Sequence, residues 1–283
     1  MKETRYGPWK VVFDPQDGAR INSLIYENTE LLTTEPENFH PPQKDYGEYE
    51  TRPVYGYDDC FPSVNVCKYP GTNWMIPDHG EICWLPWQAA KQNKSLIFVV
   101  ESENLPLGFR REMHFTEKEL SWIFTVTNNG KKSQPFQHVM HPLMPLSAIS
   151  DMELPEFESV YDEIAKKNTG MADALAVRNF LLSQPAGKTN MLFLQNVQEG
   201  IMSWTYRSGL RVEAVFPEKE FPSIGIWWNN SAYPDENGCR RNECAFEPIP
   251  GMNSTLEEAY RSGHHLLAEA GKSITWKISW RVK

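Results

Sequence analysis

The sequence predicts an all-β protein, a large antiparallel β-sandwich with a few short helices. Strand-like runs with alternating apolar and polar residues recur along the chain, and short turn clusters separate them. Aromatic residues make up 12% of the composition, with ten tryptophans. Alternation with a period of two marks half-buried strands, and turns at short intervals favour a sandwich or barrel. At 283 residues the chain is long enough to bury a large core, and all-β units of this order occur as single domains. No shift in composition marks a boundary, so one domain over residues 1–283 is expected.

The elements follow in order. Residues 34–73 are rich in Pro, Tyr, Asp and Glu and show little periodicity; a loop that long in a compact domain is usually functional or partly disordered. SLIFVVES (95–102) reads as a strand. FRREMHFTE (109–117) and LSWIFTVTNN (120–129) read as a pair around a polar turn at Lys118 and Glu119. ADALAVRNFLLSQ (172–184) fits a short helix. NMLFLQNV (190–197), GIMSWTYR (200–207), LRVEAVFP (210–217), SIGIWWNN (223–230) and ECAFEPI (243–249) read as further strands. Turns fall at Asn129-Gly130, Gln198-Glu199-Gly200, Ser208-Gly209, Asn237-Gly238 and Ala270-Gly271. STLEEAYRSG (254–263) fits a helix capped by Ser254 or Thr255 and stopped by Gly263. SITWKISWRV (273–282) closes the chain as a strand.

The formal net charge is -9, which lacks the electrostatic footprint of a nucleic-acid binder. The basic pairs Arg110-Arg111, Lys131-Lys132, Lys166-Lys167 and Arg240-Arg241 read as solvated loop charges. The N-terminal residues have no apolar signal region and no window suggests a membrane span, so a cytoplasmic location is expected. The five cysteines, Cys60, Cys67, Cys83, Cys239 and Cys244, include no CxxC and read as reduced, mostly buried thiols. Without a secretory signal, the sequons at Asn93, Asn229 and Asn253 read as chance.

QHVMHPLMPL (137–146) poses the first chemical question. Residues three apart on a strand point to opposite faces, and Pro142 and Pro145 oppose a helix. His138 and His141 are therefore not expected to share a metal. One faces a cleft and the other the core or the back.

The surrounding stretch FTVTNNGKKSQPFQHVMHPLMPL (124–146) resembles the aldose 1-epimerase (galactose mutarotase-like) family, in which a strand leads through a proline to a second strand ending in His-Pro. The matching histidine is His141, and His138 has no counterpart. WMIPDHGEICW (74–84) resembles the family segment whose His-Gly, here His79-Gly80, contacts the sugar near its ring oxygen. NECAFEPIPGMNSTLEEAYRSGHHLLAEAGKSITWKISW (242–280) resembles the family's closing unit, with Glu247 at the position of the catalytic glutamate. The matches run in the family's order over about half of the chain.

The resemblance implies the mutarotase sandwich and interconversion of the anomers of a free aldose. His141 would be the general acid that protonates the ring oxygen. Glu247 would be the base that takes the proton of the anomeric hydroxyl. Histidine suits an acid near neutral pH, with an ordinary pKa of about 6.5. No cofactor and no metal are required, and the partner is a small sugar. Alternation puts Glu243, Ala245 and Glu247 on one face of their strand. The spacing of about 13 Å over four strand residues exceeds that of a glycosidase pair, so Glu243 is expected to be solvated or to contact the sugar.

For sugar binding the expected residues are His79, Asp59, Trp228 and Asn229. DDCFPSVN (58–65) matches the family's Phe-Pro at Phe61-Pro62, but Ser63 and Val64 replace the polar pair whose Arg contacts the sugar. Asp58 or Asp59 could replace that contact, Asp59 being the choice, with Arg52 and Lys68 as alternative donors. Alternation lets one of Trp227 and Trp228 face the cleft, and Trp228 is taken, beside Asn229. Asp78 and Glu81 flank His79 and argue against a phosphorylated sugar, whereas Arg240 and Arg241 keep a hexose-6-phosphate 1-epimerase open. A non-catalytic sugar-binding or sugar-sensing protein and a glycan-cleaving enzyme are the other readings. Retention of both His141 and Glu247 favours the epimerase.

Overall fold

A computed structural model describes residues 1–283. Three antiparallel sheets make up most of it. The largest has eight strands in the order Ile149–Glu153, Ile201–Tyr206, Arg211–Val215, Ser273–Val282, Glu119–Asn128, Leu107–Phe115, Ser95–Glu101 and Gln88–Gln92. A six-stranded sheet runs Lys2–Tyr6, Trp9–Asp14, Arg20–Tyr26, Tyr57–Cys60 and Val139–Pro142, with Thr29–Glu30 added beside Arg20–Tyr26. A second six-stranded sheet runs Met144–Pro145, Asn242–Ile249, Ser223–Asn230, Lys188–Gln195, Ser159–Asp162 and Lys167–Asn168. The runs read from sequence as strands and helices all appear, with ends shifted by a few residues. The three N-terminal strands, Tyr57–Cys60 inside the supposed loop 34–73, Gln88–Gln92 and Ile149–Glu153 are among the additions.

Both smaller sheets pack on one face of the large sheet. Phe13 meets Phe98 edge-on and Tyr57 stacks on Trp122 at one end, while Phe246 stacks on Trp204 at the other. One hydrophobic core runs through all three contacts. The two smaller sheets meet along a seam, where Val139–Pro142 lies beside Asn242–Ile249. Chain order builds this seam directly, because Leu143 alone separates Val139–Pro142 in one sheet from Met144–Pro145 in the other.

Local signals behave as their chemistry requires. The helix Leu256–Ser262 has Thr255 as its cap, accepting from the Glu258 amide, and stops at Gly263 with φ 78°. The helix Ala174–Leu182 is capped by Asp173. The hairpin between Leu107–Phe115 and Glu119–Asn128 turns one residue earlier than expected: the Glu119 amide donates to Thr116 Oγ1, and Glu119 already lies in the strand. No helix is long and apolar enough to cross a membrane.

Leu107–Phe115 alternates strictly, and its buried positions are Leu107, Phe109, Arg111, Met113 and Phe115. A guanidinium thus occupies a core position, although the Arg110-Arg111 pair reads as solvated in the sequence. It is neutralised from the opposing layer. Arg111 pairs with Asp59, donates to the Ala19 carbonyl, and lies against the rings of Phe98, Tyr57 and Trp87. Asp59 also accepts from His138 Nε2 at 2.9 Å and from the Tyr57 hydroxyl at 2.6 Å. Burial pushes the Asp59 carboxyl up, but Arg111 and His138 more than offset this and hold it below its usual range. Burial also holds His138 below the ordinary histidine value, with Asp59 opposing. Its ring sits among Phe109, Phe124 and Trp276. His138 is a core histidine, on the face that strand alternation assigns it.

Removing one partner of a buried ion pair leaves an uncompensated charge and typically costs about 3–5 kcal/mol. Asp59→Ala is therefore expected to lower unfolding free energy by about 3–5 kcal/mol in urea titration. An unchanged midpoint would contradict this account of the core.

Candidate active site

A hollow beside the seam is reached from the ladder between Tyr57–Cys60 and Val139–Pro142 by His141. His141 pairs with Asp58 and Val139 with Cys60. Successive residues on a strand face opposite ways. Tyr57, Asp59 and Met140 therefore enter the main core, while Asp58, Cys60, Val139 and His141 lie on the opposite face, where Cys60 and Val139 are buried with Val64, Phe193 and Ile249. Asp59 is fully buried against Arg111, so the expectation that it contacts a sugar is corrected. Asp58, on the opposite face, is also engaged. It accepts from the Tyr49 hydroxyl at 2.6 Å and lies 3.2 Å from Arg20 and 3.4 Å from Arg52. Burial raises its carboxyl, and the two guanidiniums reverse this and hold it low.

Glu247 reaches the same spot from across the seam. Its strand exposes Glu243, Ala245 and Glu247 on the hollow side, as alternation predicts, and buries Cys244 and Phe246. His141 Nδ1 lies 2.5 Å from a Glu247 carboxylate oxygen. A carboxylate can only accept, so Nδ1–H donates and Nε2 is the nitrogen without a protein partner. Burial works to lower the His141 pKa, but the Glu247 carboxylate, its hydrogen bond, Asp58 and Glu243 outweigh it and leave the value raised. Opposite Glu247 in the ladder stands Gly225. A Cβ there would come within 3.1 Å of Met191 Cε and 3.2 Å of Glu247 Oε2. The missing side chain gives the carboxylate its room.

His79 completes the cluster. Gly80 follows it with φ 76°, and a Cβ there would lie 2.0 Å from the Phe61 carbonyl oxygen. Only glycine fits, and the close approach pins the loop to the end of Tyr57–Cys60, with the His79 amide donating to the Val64 carbonyl. The His79 ring stacks on Tyr49 at 3.6 Å and meets His141 at 5.0 Å between centroids. Its Nδ1 is 2.9 Å from Asp78 Oδ1.

The hollow has a volume of about 520 Å³, within the usual range for small-molecule sites. Its walls include Tyr46, Val64, Asn65, Glu163, Met191, Trp227 and Tyr233. Trp227 presents its ring to the hollow and donates Nε1 to Glu243 at 3.2 Å. Trp228 points into the core, so the choice of Trp228 is corrected to Trp227. Asn229 shares the face of Trp227, but its side-chain oxygen accepts from the Ala232 and Tyr233 amides and from Thr189. It builds the turn over the hollow rather than lining it. Glu243 is not solvated: it and Glu50 clamp Arg241, which donates to Glu243 at 2.8 Å and to Glu50 at 2.9 Å. Beyond this bridge lies a second hollow of about 240 Å³, and Glu50, Val54, Arg241 and Glu243 line both. Arg52 is held by Asp17, Asp58 and the Cys83 carbonyl, and Lys68 is exposed away from the lining.

Sequence reasoning missed Tyr49, Glu163, Trp227 and Gly225. Glu163 receives hydrogen bonds from the Ser254 amide and hydroxyl, and burial raises its carboxyl pKa, with Glu258 and Glu247 adding to the effect. The flagged loop 34–73 was the signal for Tyr49. Alternation marks Trp227 as one of two candidates, and no local pattern marks Glu163 or Gly225, whose partners come from distant strands.

No family model matches the chain, and no curated protein matches it in sequence. Solved structures do match over nearly the full length. A protein of Synechocystis sp. PCC 6803 superposes with a TM-score of 0.74 at 14% identity, covering 100% of this chain and 95% of that one. A galactose mutarotase-like protein from Lactobacillus casei ATCC 334 gives 0.70 at 16% identity, covering 100% of both. A galactose mutarotase related enzyme from Lactobacillus acidophilus gives 0.68 at 17% identity, covering 100% and 97%. The chain has the galactose mutarotase-like fold.

The pairing has a sign that can be tested. The folded His141 pKa lies above the unfolded value of about 6.5. The pair's contribution to stability is then full below about pH 6.5 and lost as pH rises through the folded value. Glu247→Gln removes the largest raising influence, and burial remains. The His141 ring resonance followed by NMR is expected to titrate at lower pH in that variant than in the parent. An unshifted or higher midpoint would contradict the assigned cause.

Proposed function

We propose that the chain is an aldose 1-epimerase acting on a free, unphosphorylated sugar, with His141 as acid and Glu247 as base. The observation that carries this reading is the His141–Glu247 contact on the floor of a hollow of sugar size. Mutarotation needs a proton donor and a proton acceptor at two oxygens bonded to the same carbon, so its catalytic groups must be neighbours. The contact with Glu247 favours the protonated imidazole and holds a carboxylate beside it.

In this mechanism Glu247 takes the proton of the anomeric hydroxyl while His141 gives its Nε2 proton to the ring oxygen. The bond between C1 and the ring oxygen breaks and the aldehyde forms. After rotation about the C1–C2 bond the chain hydroxyl attacks the other face. Its proton returns to His141, and Glu247 reprotonates the carbonyl oxygen. Each positioned transfer contributes roughly 10²–10⁴ in rate. Trp227, Tyr49 and Tyr233 offer apolar faces, and Asn65, His79 and Glu163 offer polar edges, the usual mixture of a sugar pocket.

The charge of the walls supports an uncharged substrate. Glu50, Asp78, Glu163, Asp235, Glu243 and Glu247 line the hollow, and Arg241, its one guanidinium, already bridges two of them. Phosphate recognition uses arginine forks free to accept the anion. Arg241 is unavailable, and Arg240 is exposed on the far side, lining the second hollow.

Exchange of α and β anomers, followed by NMR over a panel of aldoses and aldose 6-phosphates, tests the reading. Catalysed exchange is expected for at least one free aldose and for no phosphate ester. His141→Ala and Glu247→Ala are each expected to slow it 100-fold or more. Full activity in either variant refutes the assignment, and binding without exchange makes the chain a sugar-binding protein. In the active enzyme, the rate should fall on the alkaline side, at a pH above the ordinary histidine value, as His141 loses its proton.

A further inference from the structure

Cys60, His79 and His141 each offer one donor atom, and the three atoms lie within 4.8 Å of one another. The sequence gives no hint of this set: its members are spread over 81 positions and form no spaced motif, and the adjacent-looking pair, His138 and His141, is split between two faces. Strand geometry assembles it. Cys60 and His141 share one face of one ladder, and Gly80 fixes His79 above them.

The two histidines are also prepared alike. His79 Nδ1 is held by Asp78 at 2.9 Å and His141 Nδ1 by Glu247 at 2.5 Å. In metal-binding histidines, one ring nitrogen typically donates to a carboxylate, which fixes the ring and presents the other nitrogen. Here both rings have a carboxylate on Nδ1, so both have Nε2 to offer. A thiolate with two imidazoles suits a borderline-soft cation, and three protein ligands with an open fourth position describe an accessible zinc site. Bonds of about 2.0–2.3 Å require the donors to close in by roughly an ångström. The carboxylates around the hollow favour a dication.

We propose that this cluster binds one zinc ion and that zinc inhibits the chain's sugar chemistry. The inhibitory half rests on the epimerase reading; the binding half does not. Coordination releases the Cys60 thiol proton to solvent, together with the Nε2 proton wherever His141 is an imidazolium. Zinc then holds the nitrogen that must protonate the ring oxygen. Cys60 takes no part in the proton transfers, so its loss removes zinc sensitivity without removing the acid or the base.

The test uses the full chain freed of metal, with Zn²⁺ titrated against a chromophoric chelator and Co²⁺ as an optical probe. The parent and Cys239→Ser, a control at a thiol outside the cluster, are expected to bind one zinc each and to show thiolate-to-cobalt charge-transfer absorption. Cys60→Ser and Cys60→Ala, checked for native circular dichroism, are expected to lose that absorption and at least 10-fold in zinc affinity. His79→Ala should weaken zinc binding while leaving the thiol in place. In anomer exchange, stoichiometric zinc should silence the parent and a chelator should restore it. Cys60→Ser should run within about two-fold of the metal-free parent and ignore zinc. Parent-like zinc affinity in both Cys60 variants, or loss of the cobalt band in Cys239→Ser, overturns the site. Zinc activation overturns the inhibitory role. Zinc bound by Cys60 in a chain that exchanges no aldose leaves the site standing and removes the epimerase reading instead.

Discussion

The buried pair of Asp59 and Arg111 is the interaction on which the hollow depends. It joins Tyr57–Cys60 to the eight-stranded sheet through a buried carboxylate and guanidinium, and His138 and the Tyr57 hydroxyl are tied into the same group. With Asp59 and His138 committed to the core, alternation leaves Asp58, Cys60 and His141 no choice of face. The chemistry of that face is thus set from behind. A carboxylate in a hydrophobic layer is costly unless it is paired, and the same pairing that offsets the cost specifies which side of the ladder is which.

The seam supplies the second constraint. His141 and Glu247 belong to different sheets, so their separation is not fixed by any backbone ladder. It is fixed by packing between Val139–Pro142 and Asn242–Ile249 and by the short chain link through Leu143. Gly225 then clears the space the carboxylate needs. A site made this way is rigid within each half and sensitive to anything that changes how the halves meet.

The sandwich was legible because a long strand such as Ser273–Val282 keeps a clean period of two in its sequence. Trp9–Asp14 alternates just as well in the structure, but adjacent Val11 and Val12 blur the pattern in the sequence. Of the site, His141, Glu247 and His79 could be read and do come together. Asp59 could not be placed, because its neutralising partner lies 52 residues away on another sheet. Trp228 and Asn229 were expected side by side in the cleft, yet neighbours on a strand cannot share a face. Asn229 belongs with Trp227, and only the pairing of Gly225 with Glu247 shows which set faces the hollow.

The Arg241 bridge has a consequence for evolution. The two hollows are divided by side chains that line both, with Glu50 and Glu243 holding the guanidinium between them. Such a partition sets the length of what can lie in the site, much as a stop on a ruler does. Replacing the three charged residues together by small neutral ones would leave the sheets and the His141–Glu247 contact in place while running the two spaces into one trough. The step from a closed hollow to a long groove is therefore short in sequence, and it passes through a salt bridge rather than through the architecture.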